Sequence, residues 1–415
     1  MTFDPTPASD APVRIIVQKF GGTSVAKEDL REVAASRVLE ARARGFCPVV
    51  VVSAMGRDGD PYATDTLLSL LGPAKASPNR DLIAAVGEMI SAAVFAELLV
   101  RWGAKAQALS GGQAGILVDD RWGDAQILDV RPERVLQLVQ EGVIPVVAGF
   151  QGLTPDGAVA TLGRGGSDLS AVVLGSALRA EGVEIFTDVS GVMSADPRRV
   201  VGVHAVERIT YEEMTELAAH GAKVMHHKAA SWAMQTKMPY SVKGLRTNQG
   251  TLVDDSVAID RERPVTGIAA IHDLAFVHIL LGDIESRQQL QALVLEVFGR
   301  LAKRGISIDL INVNRAGVFF AVENPNLEVV REELRELNMA VRVRQNCAKL
   351  SIVGAGMRGT PGVMYRVVQA LEGSGVEIIH STDSNITISL LVREEEAASA
   401  EQAIHDYFHL ESEPQ

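Results

Sequence analysis

Apolar strands, glycine-bearing loops and alanine-rich amphipathic helices alternate along the chain up to about residue 255. The segments CPVVVVSAMG (47–56), GVIPVVAGFQG (142–152) and VEIFTDVSGVM (183–193) are examples of strands that run directly into loops. This alternation predicts an α/β domain with a largely parallel sheet. Because such sheets bind ligands at the carboxyl ends of their strands, the polar motifs that follow strands contain the candidate functional residues.

The character of the sequence changes after VDDSVAIDRERPV (253–265), a charged segment with little periodicity that we interpret as a linker. Beyond it, VFGRLAKRGISIDLINV (297–313) resembles VVQALEGSGVEIIHSTD (367–383), and each comprises a helix, a glycine and an apolar strand. The C-terminal third is therefore predicted to be a tandem repeat of a small α/β module. The predicted divisions are a flexible leader (1–12), the α/β domain (13–252), the linker (253–265) and two modules (266–345 and 346–410).

Composition and charge limit the classes of partner. The chain has 415 residues, a net charge of −12 and no basic stripe, so we expect neither a nucleic-acid nor an anionic-membrane partner. The opening MTFDPTPASDAP lacks the basic start and apolar core of a signal peptide, and we expect no apolar run of membrane-spanning length. Cys47 and Cys347 are predicted to be buried, reduced thiols of a cytoplasmic protein, with a metal site or a disulfide as the alternative.

The stretch VRIIVQKFGGTSVAKEDL (13–30) places Lys19 at the end of a predicted buried strand, just before Gly21, Gly22 and Thr23. A strand that ends in this way and turns into a helix lets bare backbone approach an anion, with amide groups pointing at it. The lysine precedes the glycines, so this is not the Walker phosphate loop. The motif predicts a phosphate cradle with its own cation, and the alternative is an ordinary glycine-rich turn with a solvated lysine.

The second glycine-rich motif is TLGRGGSDLSAVVLGSALRA (161–180), in which three glycines surround Arg164. The glycines clear space for a small ligand beside a guanidinium group that can bind a carboxylate through two hydrogen bonds. Asp168 follows at the predicted start of a helix, which is a favourable position for a negative charge. The alternative is a capping Ser-Asp pair with an exposed arginine.

A third cluster, IFTDVSGVMSADPRRV (185–200), has Thr187 and Asp188 at a strand end and Arg198 after a turn-forming Asp-Pro. An amphipathic helix follows, and Lys223 comes just after its end. Turn and cap chemistry is the alternative explanation for both segments.

Glu88 lies in an otherwise apolar predicted helix, AAVGEMISAAV (84–94), where an unpaired carboxylate is unfavourable. We therefore expect a cationic partner or ligand for it, with a simple surface position as the alternative. His220, His226 and His227 lack the spacing of a helical ligand pair, and no metal site is predicted from them.

Taken in order, QKFGGTSV, VVVVSAMGR, the Gly-Glu pair at 87–88, TLGRGGSD, FTDVSGVMSADPR and GAKVMH resemble the motifs of the aspartokinase family of the amino-acid kinase superfamily. The resemblance covers nearly the whole chain. The C-terminal repeat resembles paired ACT modules, and SAMGRDGDPYATDTLL (53–68) is most similar to the diaminopimelate-sensitive class. The resemblance implies an open, mostly parallel sheet between helical layers, followed by two ferredoxin-like βαββαβ ACT modules.

The resemblance also implies a role for each site residue. Lys19 is implied to contact the transferring phosphoryl group, and Asp168 matches a catalytic carboxylate. The contacts implied for the substrate aspartate are Ser53, Thr64, Glu88 and Arg164. The contacts implied for the nucleotide are Lys19, Gly21, Gly22, Thr23, Thr187, Asp188, Arg198 and Lys223. The segment MHHKA (225–229) departs from the family's His-Pro-Arg-Ala at His227 and Lys228, which leaves the local loop geometry open.

The implied reaction is ATP-dependent phosphorylation of the aspartate side chain, with Mg²⁺ on the phosphates. The attacking carboxylate is already ionised, so no general base is needed. Lys19 and Lys223 would neutralise charge where the carboxylate meets the polyphosphate. The sequence leaves open whether Asp168 orients these lysines or acts through Mg²⁺. The alternatives are a kinase of glutamate or acetylglutamate, and a catalytically silent amino-acid sensor.

The ACT resemblance implies an amino-acid effector and a homodimer or higher homo-oligomer that pairs through these modules. Ser307 and Asp309 resemble the family's effector contacts, and Asp309 is expected to meet an effector ammonium unless it is only an exposed strand-end residue. HSTDSN (380–385) is expected to complete the pocket. The expected effector is meso-diaminopimelate first and lysine second. The sequence does not fix the effector, the oligomer size or the presence of a shorter chain from the same gene.

Overall fold

The computed structural model of the chain describes residues 13–73, 75–222, 224–247, 249–257, 259–280, 287–337 and 339–411. These residues fall into two units. The first unit contains the residues up to 192 together with 205–218 and 224–257. The second unit contains 193–204, 219–222 and the residues from 259 onward. The predicted leader (1–12) lies outside the described residues.

The first unit is built on a large open sheet. Its described strands are β1 (Ile15–Phe20), β2 (Cys47–Val52), β3 (Ala106–Leu109), β4 (Ile116–Val118), β5 (Ile127–Val130), β6 (Ile144–Ala148), β7 (Gln151–Leu153), β8 (Val159–Thr161), β9 (Gly182–Thr187), β10 (Arg208–Ile209), β11 (Tyr240–Gly244) and β12 (Gly250–Val253). The large sheet has the order β10-β12-β11-β9-β1-β2-β6-β3, and only β11 and β12 are antiparallel neighbours in it. The strands β5-β4-β7-β8 form a smaller sheet.

Helices cover both faces of the large sheet. They are α1 (Gly22–Val25), α2 (Glu28–Ala43), α3 (Thr64–Ser69), α4 (Pro78–Arg101), α5 (Glu133–Gln140), α6 (Gly166–Ala177), α7 (Tyr211–Ala219) and α8 (His227–Thr236). Phe20 of β1 packs with Val38 of α2 and Phe95 of α4. Because side chains alternate along a strand, the adjacent Lys19 projects from the opposite face, where α6 packs. These layers confirm the predicted α/β class with a mostly parallel sheet between helices.

The second unit contains one antiparallel sheet with helices. Its described elements are β13 (Gly267–Ile279), α9 (Arg287–Lys303), β14 (Asp309–Asn314), β15 (Gly317–Glu323), α10 (Leu327–Glu336), β16 (Val341–Val353), α11 (Val363–Glu372), β17 (His380–Asp383), β18 (Thr387–Arg393) and α12 (Ala397–Tyr407). The strand order is β14-β15-β13-β16-β18-β17. Hydrophobic residues of α9 and α10 form one core on this sheet, and those of α11 and α12 form another.

The two halves of this sheet repeat the same local pattern. Gly305 follows α9 and Gly375 follows α11, and both have left-handed φ values, +69° and +70°, at the turn into the next strand. The predicted pair of ferredoxin-like modules is therefore confirmed. The long strands β13 and β16 run through both halves, so the boundary placed between residues 345 and 346 falls inside β16. The residue boundaries stay predictions.

One helix contradicts the expectation that no apolar run reaches membrane-spanning length. α4 has 24 residues and an 18-residue window of mean hydropathy 1.9, so by length and composition alone it is long and apolar enough to cross a membrane. In the structure 56% of that window is buried, and Ala92, Phe95 and Leu99 pack in the core of the first unit. The apolar character of α4 therefore has a packing explanation, because core helices of folded domains have the same composition.

Candidate active site

Lys19 and Asp168 form an ion pair at the candidate site. Lys19 is the penultimate residue of β1, and Asp168 lies in the first turn of α6. Lys19 Nζ is 2.6 Å from Asp168 Oδ1, and the two side chains retain only 11% and 12% of their exposure. The amino end of a helix favours a negative charge, and the ammonium group adds a second positive field. The pair therefore fixes a cation and an anion at one strand end.

Two glycines let backbone segments approach this ion pair. A Cβ on Gly22 would lie 2.6 Å from the carbonyl oxygen of Ala54, so a side chain there would push the turn after β1 away from the loop after β2. Gly165 has a left-handed φ of +72°, and its Cβ would lie 2.1 Å from the Cβ of His226. A side chain at position 165 would therefore be strained and would displace His226.

The ion pair borders a cavity of about 570 Å³ in the first unit. The sequence-predicted residues that line it are Lys19, Gly22, Ser53, Thr64, Glu88, Arg164 and Asp168. This set includes every residue predicted to contact aspartate. Gly21 and Thr23 lie in the adjoining turn but do not line the cavity. The fold thus brings together residues that are far apart in the sequence.

Glu88 is a buried carboxylate at this cavity. Glu88 is 3% exposed, and its Oε2 has no hydrogen-bond partner among the described residues. Burial raises the pKa of the Glu88 carboxyl to about 8, against hydrogen bonds from the Ala54 backbone and the Thr64 side chain. The carboxyl is therefore mostly protonated at neutral pH unless a cation occupies the cavity.

Asp81 is a cavity residue that sequence reasoning missed. Its Oδ2 accepts hydrogen bonds from the backbone N–H groups of Gly123 (3.0 Å) and Thr161 (2.7 Å) and from the Thr161 hydroxyl (3.1 Å). These bonds tie the start of α4 to the end of β8. The sequence signal was ambiguous because Asp81 follows Ser77 and Pro78 at a helix start, where an acidic residue has an ordinary capping explanation.

Arg57, which also lines the cavity, connects it to the end of β9. Arg57 Nη2 is 2.8 Å from Asp188 Oδ2, and the Thr187 hydroxyl donates to Asp188 Oδ1 at 3.1 Å. Arg57 belongs to the motif VVVVSAMGR, but the sequence alone gives it no role. Thr187 and Asp188 do not line the cavity themselves. Asp188 is linked to it because its ion-pair partner Arg57 is one of the lining residues.

Of the two remaining nucleotide candidates, only Arg198 is among the described residues, and it does not line the cavity. Arg198 belongs to residues 193–204 of the second unit, where it forms an ion pair with Asp196 at 2.6 Å. Lys223 lies outside the described residues. The structure therefore assembles only part of the predicted nucleotide set.

The segment that departs from the family pattern has a local structural role. His226 precedes α8, and its Nδ1 accepts a hydrogen bond from the Lys228 N–H at 3.4 Å. The Lys228 ammonium forms an ion pair with Asp124, and the His227 ring lies 4.4 Å from the His226 ring at an interplanar angle of 38°. Within the described ranges, no group of three or more His, Cys, Asp and Glu side chains could hold a metal ion.

The effector candidates lie in the second unit. Asp309 begins β14 and forms an ion pair with Lys349 of β16, whose side chain is 2% exposed. Burial alone would raise the pKa of Asp309, but the Lys349 ammonium outweighs it and the net pKa is lowered. Lys349 also donates to His220 Nδ1 at 3.0 Å, and Ser307 is exposed in the loop before β14. Asp309 thus has a cationic partner within the chain, which the sequence did not predict.

The polar run predicted to complete the effector pocket lines a different cavity. This cavity of about 390 Å³ is bordered by residues 381–385 and by Gly362, at the start of α11. Asp309 does not line it. Within one chain, the two predicted parts of the effector pocket are therefore separate.

Comparison with known proteins gives concordant matches. The model of the amino acid kinase family matches residues 14–244, and a model of the ACT domain matches residues 350–408. The chain is 43% identical over 407 residues to aspartokinase 1 of Bacillus subtilis, covering 96% of this chain and 100% of that relative. Escherichia coli aspartokinase III, solved with aspartate and ADP, aligns with a TM-score of 0.77 at 26% identity over 95% of this chain and 99% of that one. The same enzyme solved with lysine and aspartate aligns with a TM-score of 0.74 at 26% identity, with the same coverage.

Proposed function

Because this chain belongs to the aspartokinase family, we propose that it transfers the γ-phosphoryl group of ATP to the side-chain carboxylate of L-aspartate. The product is 4-phospho-L-aspartate, an acyl phosphate. The observation that carries the proposal is the single cavity that joins the Lys19–Asp168 ion pair to Glu88 and Arg164. It offers opposite charges for a substrate that carries one ammonium group and two carboxylates.

Recognition of the substrate follows from these charges. Glu88 pairs with the α-ammonium group, which supplies the partner that its buried Oε2 lacks. Arg164 is exposed between Gly163 and Gly165, and its planar guanidinium holds the α-carboxylate. The side-chain carboxylate is then the group left free to attack. Ser53 and Thr64, which line the same cavity, are the remaining proposed contacts of the substrate aspartate.

Phosphoryl transfer depends on neutralising charge where two anions meet. Lys19 is placed to contact the transferring group, and its ion pair with Asp168 supports an orienting role for that carboxylate. The nucleotide lies at the strand-end turn that contains Gly21, Gly22 and Thr23. Mg²⁺ binds mainly through nucleotide phosphates with one or two carboxylates, and it supplies further neutralisation when it arrives with ATP. Asp168 is a carboxylate that suits this ion, so both of its proposed roles are compatible.

The test is acceptor selectivity. The purified chain is assayed with ATP, Mg²⁺ and either L-aspartate, L-glutamate or N-acetyl-L-glutamate, and acyl phosphate is trapped with hydroxylamine. We expect hydroxamate with aspartate alone. Faster turnover with glutamate or acetylglutamate would favour another amino-acid kinase, and absence of turnover with all three would favour the silent sensor. The relatives reported above are aspartokinases and give those alternatives no support.

The second unit regulates the kinase by binding an amino acid at Asp309. Lys349 shows that this carboxylate accepts an ammonium group, so an effector ammonium would share Asp309 with Lys349 or displace it. A diamino acid suits such a site, with meso-diaminopimelate proposed first and lysine second. Lysine is bound in the solved complex of Escherichia coli aspartokinase III. Ser307, exposed in the loop before β14, supplies a further polar contact.

An exposed apolar groove supports assembly of several chains through the second unit. The groove, of about 580 Å³, is lined by Leu290, Val294, Leu295, Phe298 and Val313 on α9 and β14, and Leu295 is 77% exposed. Apolar surface of this kind is typical of interfaces, so we propose a homodimer or larger homo-oligomer. The protein functions in the cytoplasm, without a membrane or nucleic-acid partner.

Oligomerisation is tested by light scattering after size-exclusion chromatography. Leu295→Glu should shift the mass toward that of a monomer, whereas Leu128→Glu, at an exposed position of the first unit, should not. A wild-type mass of one chain would contradict the proposal.

A further inference from the structure

Asp81 joins the helix that carries Glu88 to the chain segments beside Arg164. Asp81 lies in the first turn of α4, and Glu88 lies two helical turns further along the same helix. Both side chains line the cavity of the candidate active site, so they share one face of α4. Asp81 is 2% exposed, and its Oδ2 accepts the hydrogen bonds from Gly123 and Thr161 described above. A buried carboxylate depends on such donors, so these bonds fix the distance between α4 and both segments.

The segment that leads to Arg164 is fixed by backbone hydrogen bonds next to those bonds. The Thr161 carbonyl accepts from the Ala125 N–H at 2.8 Å, and the Leu162 N–H donates to the Phe150 carbonyl at 2.8 Å. Thr161 is therefore held on its N–H, hydroxyl and carbonyl groups at once. A movement of Thr161 would be transmitted to Arg164, because few residues separate them and each peptide between them is planar.

The loop that contains Gly123 forms the wall beside this segment. Gly163 has a left-handed φ of +76°, and a Cβ on it would lie 3.1 Å from the Gly123 carbonyl oxygen, so the two backbones are in close contact. Arg164 leaves the backbone directly after Gly163, and its side chain is exposed, so its direction depends on the backbone. Asp81 holds both parts, the wall through the Gly123 N–H and the segment through Thr161.

We propose that Asp81 is a positioning residue for the acceptor amino acid, and that it acts by fixing Arg164 relative to Glu88. The inference rests on the proposed function, since it takes Arg164 as the contact of the α-carboxylate and Glu88 as the contact of the α-ammonium group. Both substrate groups are bonded to one carbon atom, so their two partners must keep a fixed separation. Asp81 acts through the protein, because its Oδ2 is bonded to protein donors. All of these residues belong to the first unit.

Asp81→Ala removes the acceptor, and KM for aspartate should rise roughly tenfold, because displacements of about 1 Å at a positioned group have effects of this order or larger. KM for ATP should stay within about twofold, because Lys19 and the turn at residues 21–23 take no part in these bonds. Asp81→Asn keeps one oxygen acceptor in the same shape, so it should recover part of the loss. A purely structural role would lower the amount of folded enzyme and leave both KM values unchanged.

Asp119→Asn is the matched control, since it makes the same change in the loop that contains Gly123. Asp119 Oδ1 accepts hydrogen bonds from the backbone N–H groups of Arg121 (3.3 Å) and Gln126 (2.9 Å), but Asp119 does not line the cavity. Both KM values of this variant should stay within about twofold of wild type. A rise in KM for aspartate equal to that of Asp81→Asn would show that any loosening of the loop is sufficient, and would contradict a specific role for Asp81.

A double-mutant cycle tests whether Asp81 acts through Arg164. The variants are compared by kcat/KM for aspartate, which does not require saturation. Arg164→Ala should lower this value by itself, and adding Asp81→Asn should have little further effect because the positioned group is gone. Thermal unfolding of every variant confirms that folded protein is assayed. If both Asp81 variants fold poorly, Thr161→Val, which removes only the hydroxyl donor, should show the same split between the two substrates to a smaller extent.

Three results would overturn the inference. They are additive effects of Arg164→Ala and Asp81→Asn, equal rises in KM for aspartate and ATP, and an unchanged KM for aspartate in the folded Asp81 variants or, in their place, in Thr161→Val. A normal kcat/KM for aspartate in Arg164→Ala would instead overturn the substrate contact assigned in the proposed function, and the inference with it.

Discussion

Glu88→Gln tests the buried carboxylate on which substrate recognition depends. A folded-state pKa of about 8 against an ordinary value of 4.5 corresponds, at 1.36 kcal/mol per pKa unit, to about 5 kcal/mol. The folded state holds the proton more tightly than the unfolded chain. The stability that this proton contributes is therefore complete below pH 4.5, and it is lost as the pH rises toward 8.

Glutamine cannot ionise, so its contribution to the unfolding free energy does not change with pH. We expect the unfolding free energy of Glu88→Gln relative to wild type to increase steadily from pH 5 to pH 8, by several kcal/mol, in denaturant titrations monitored by circular dichroism. Glu396→Gln is the matched control, and its unfolding free energy relative to wild type should not increase in this way from pH 5 to pH 8. A Glu88→Gln difference that is independent of pH, or that shrinks as the pH rises, would refute the assignment of a buried carboxyl whose pKa is raised.

The same titration predicts a signature of substrate binding. At pH 7 the free carboxyl is about nine-tenths protonated if its pKa is about 8, and pairing with the aspartate ammonium group restores its charge. Aspartate binding should therefore release close to one proton from wild type and almost none from Glu88→Gln. Calorimetry in two buffers with different ionisation enthalpies measures this number directly, and equal proton release by both proteins would contradict the proposed contact.

The remaining predictions concern the chemistry, the acceptor and the effector. Lys19→Ala and Asp168→Ala should each lower kcat by about 10²-fold or more with the circular dichroism spectrum unchanged, and near-normal turnover of either would refute the charge-neutralisation role. Arg164→Lys keeps the charge but loses the planar fork, so steady-state kinetics should show a large rise in KM for aspartate and a smaller one for ATP, whereas equal rises would exclude a carboxylate clamp. Asp309→Ala should relieve inhibition by meso-diaminopimelate or lysine at a nearly unchanged uninhibited rate, and a fully sensitive variant would place the effector elsewhere.

Local sequence patterns were sufficient to predict the strand ends and the central pair of the candidate site. Lys19 and Asp168 stand next to glycines at element boundaries, and parallel strands bring such boundaries to one edge of a sheet. The burial of Glu88 was also predictable, because its neighbours in the helix are apolar. For these residues the chemistry of the immediate neighbours in the sequence determines the environment.

Long-range partners were not predictable in the same way. Lys349 reaches Asp309 across the sheet, and no pattern of spacing connects the two positions. Arg198 looked like part of the kinase domain because it follows β9, yet tertiary contacts with α12 place its segment in the second unit. The sequence understates the length of the apolar segment in α4, because Glu88 and the small residues around it interrupt the run of large apolar side chains. The other side chains of this helix fill the core.

The proposed activity is defined by the atom that receives the phosphoryl group. Aspartate enriched with carbon-13 at its side-chain carboxyl is incubated with the wild-type chain, ATP and Mg²⁺, and the product is followed by carbon and phosphorus NMR. We expect carbon–phosphorus coupling at the side-chain carboxyl with wild type, and its loss with Lys19→Ala. Consumption of ATP without that coupling, or coupling formed equally well by Lys19→Ala, would contradict the proposed aspartate kinase.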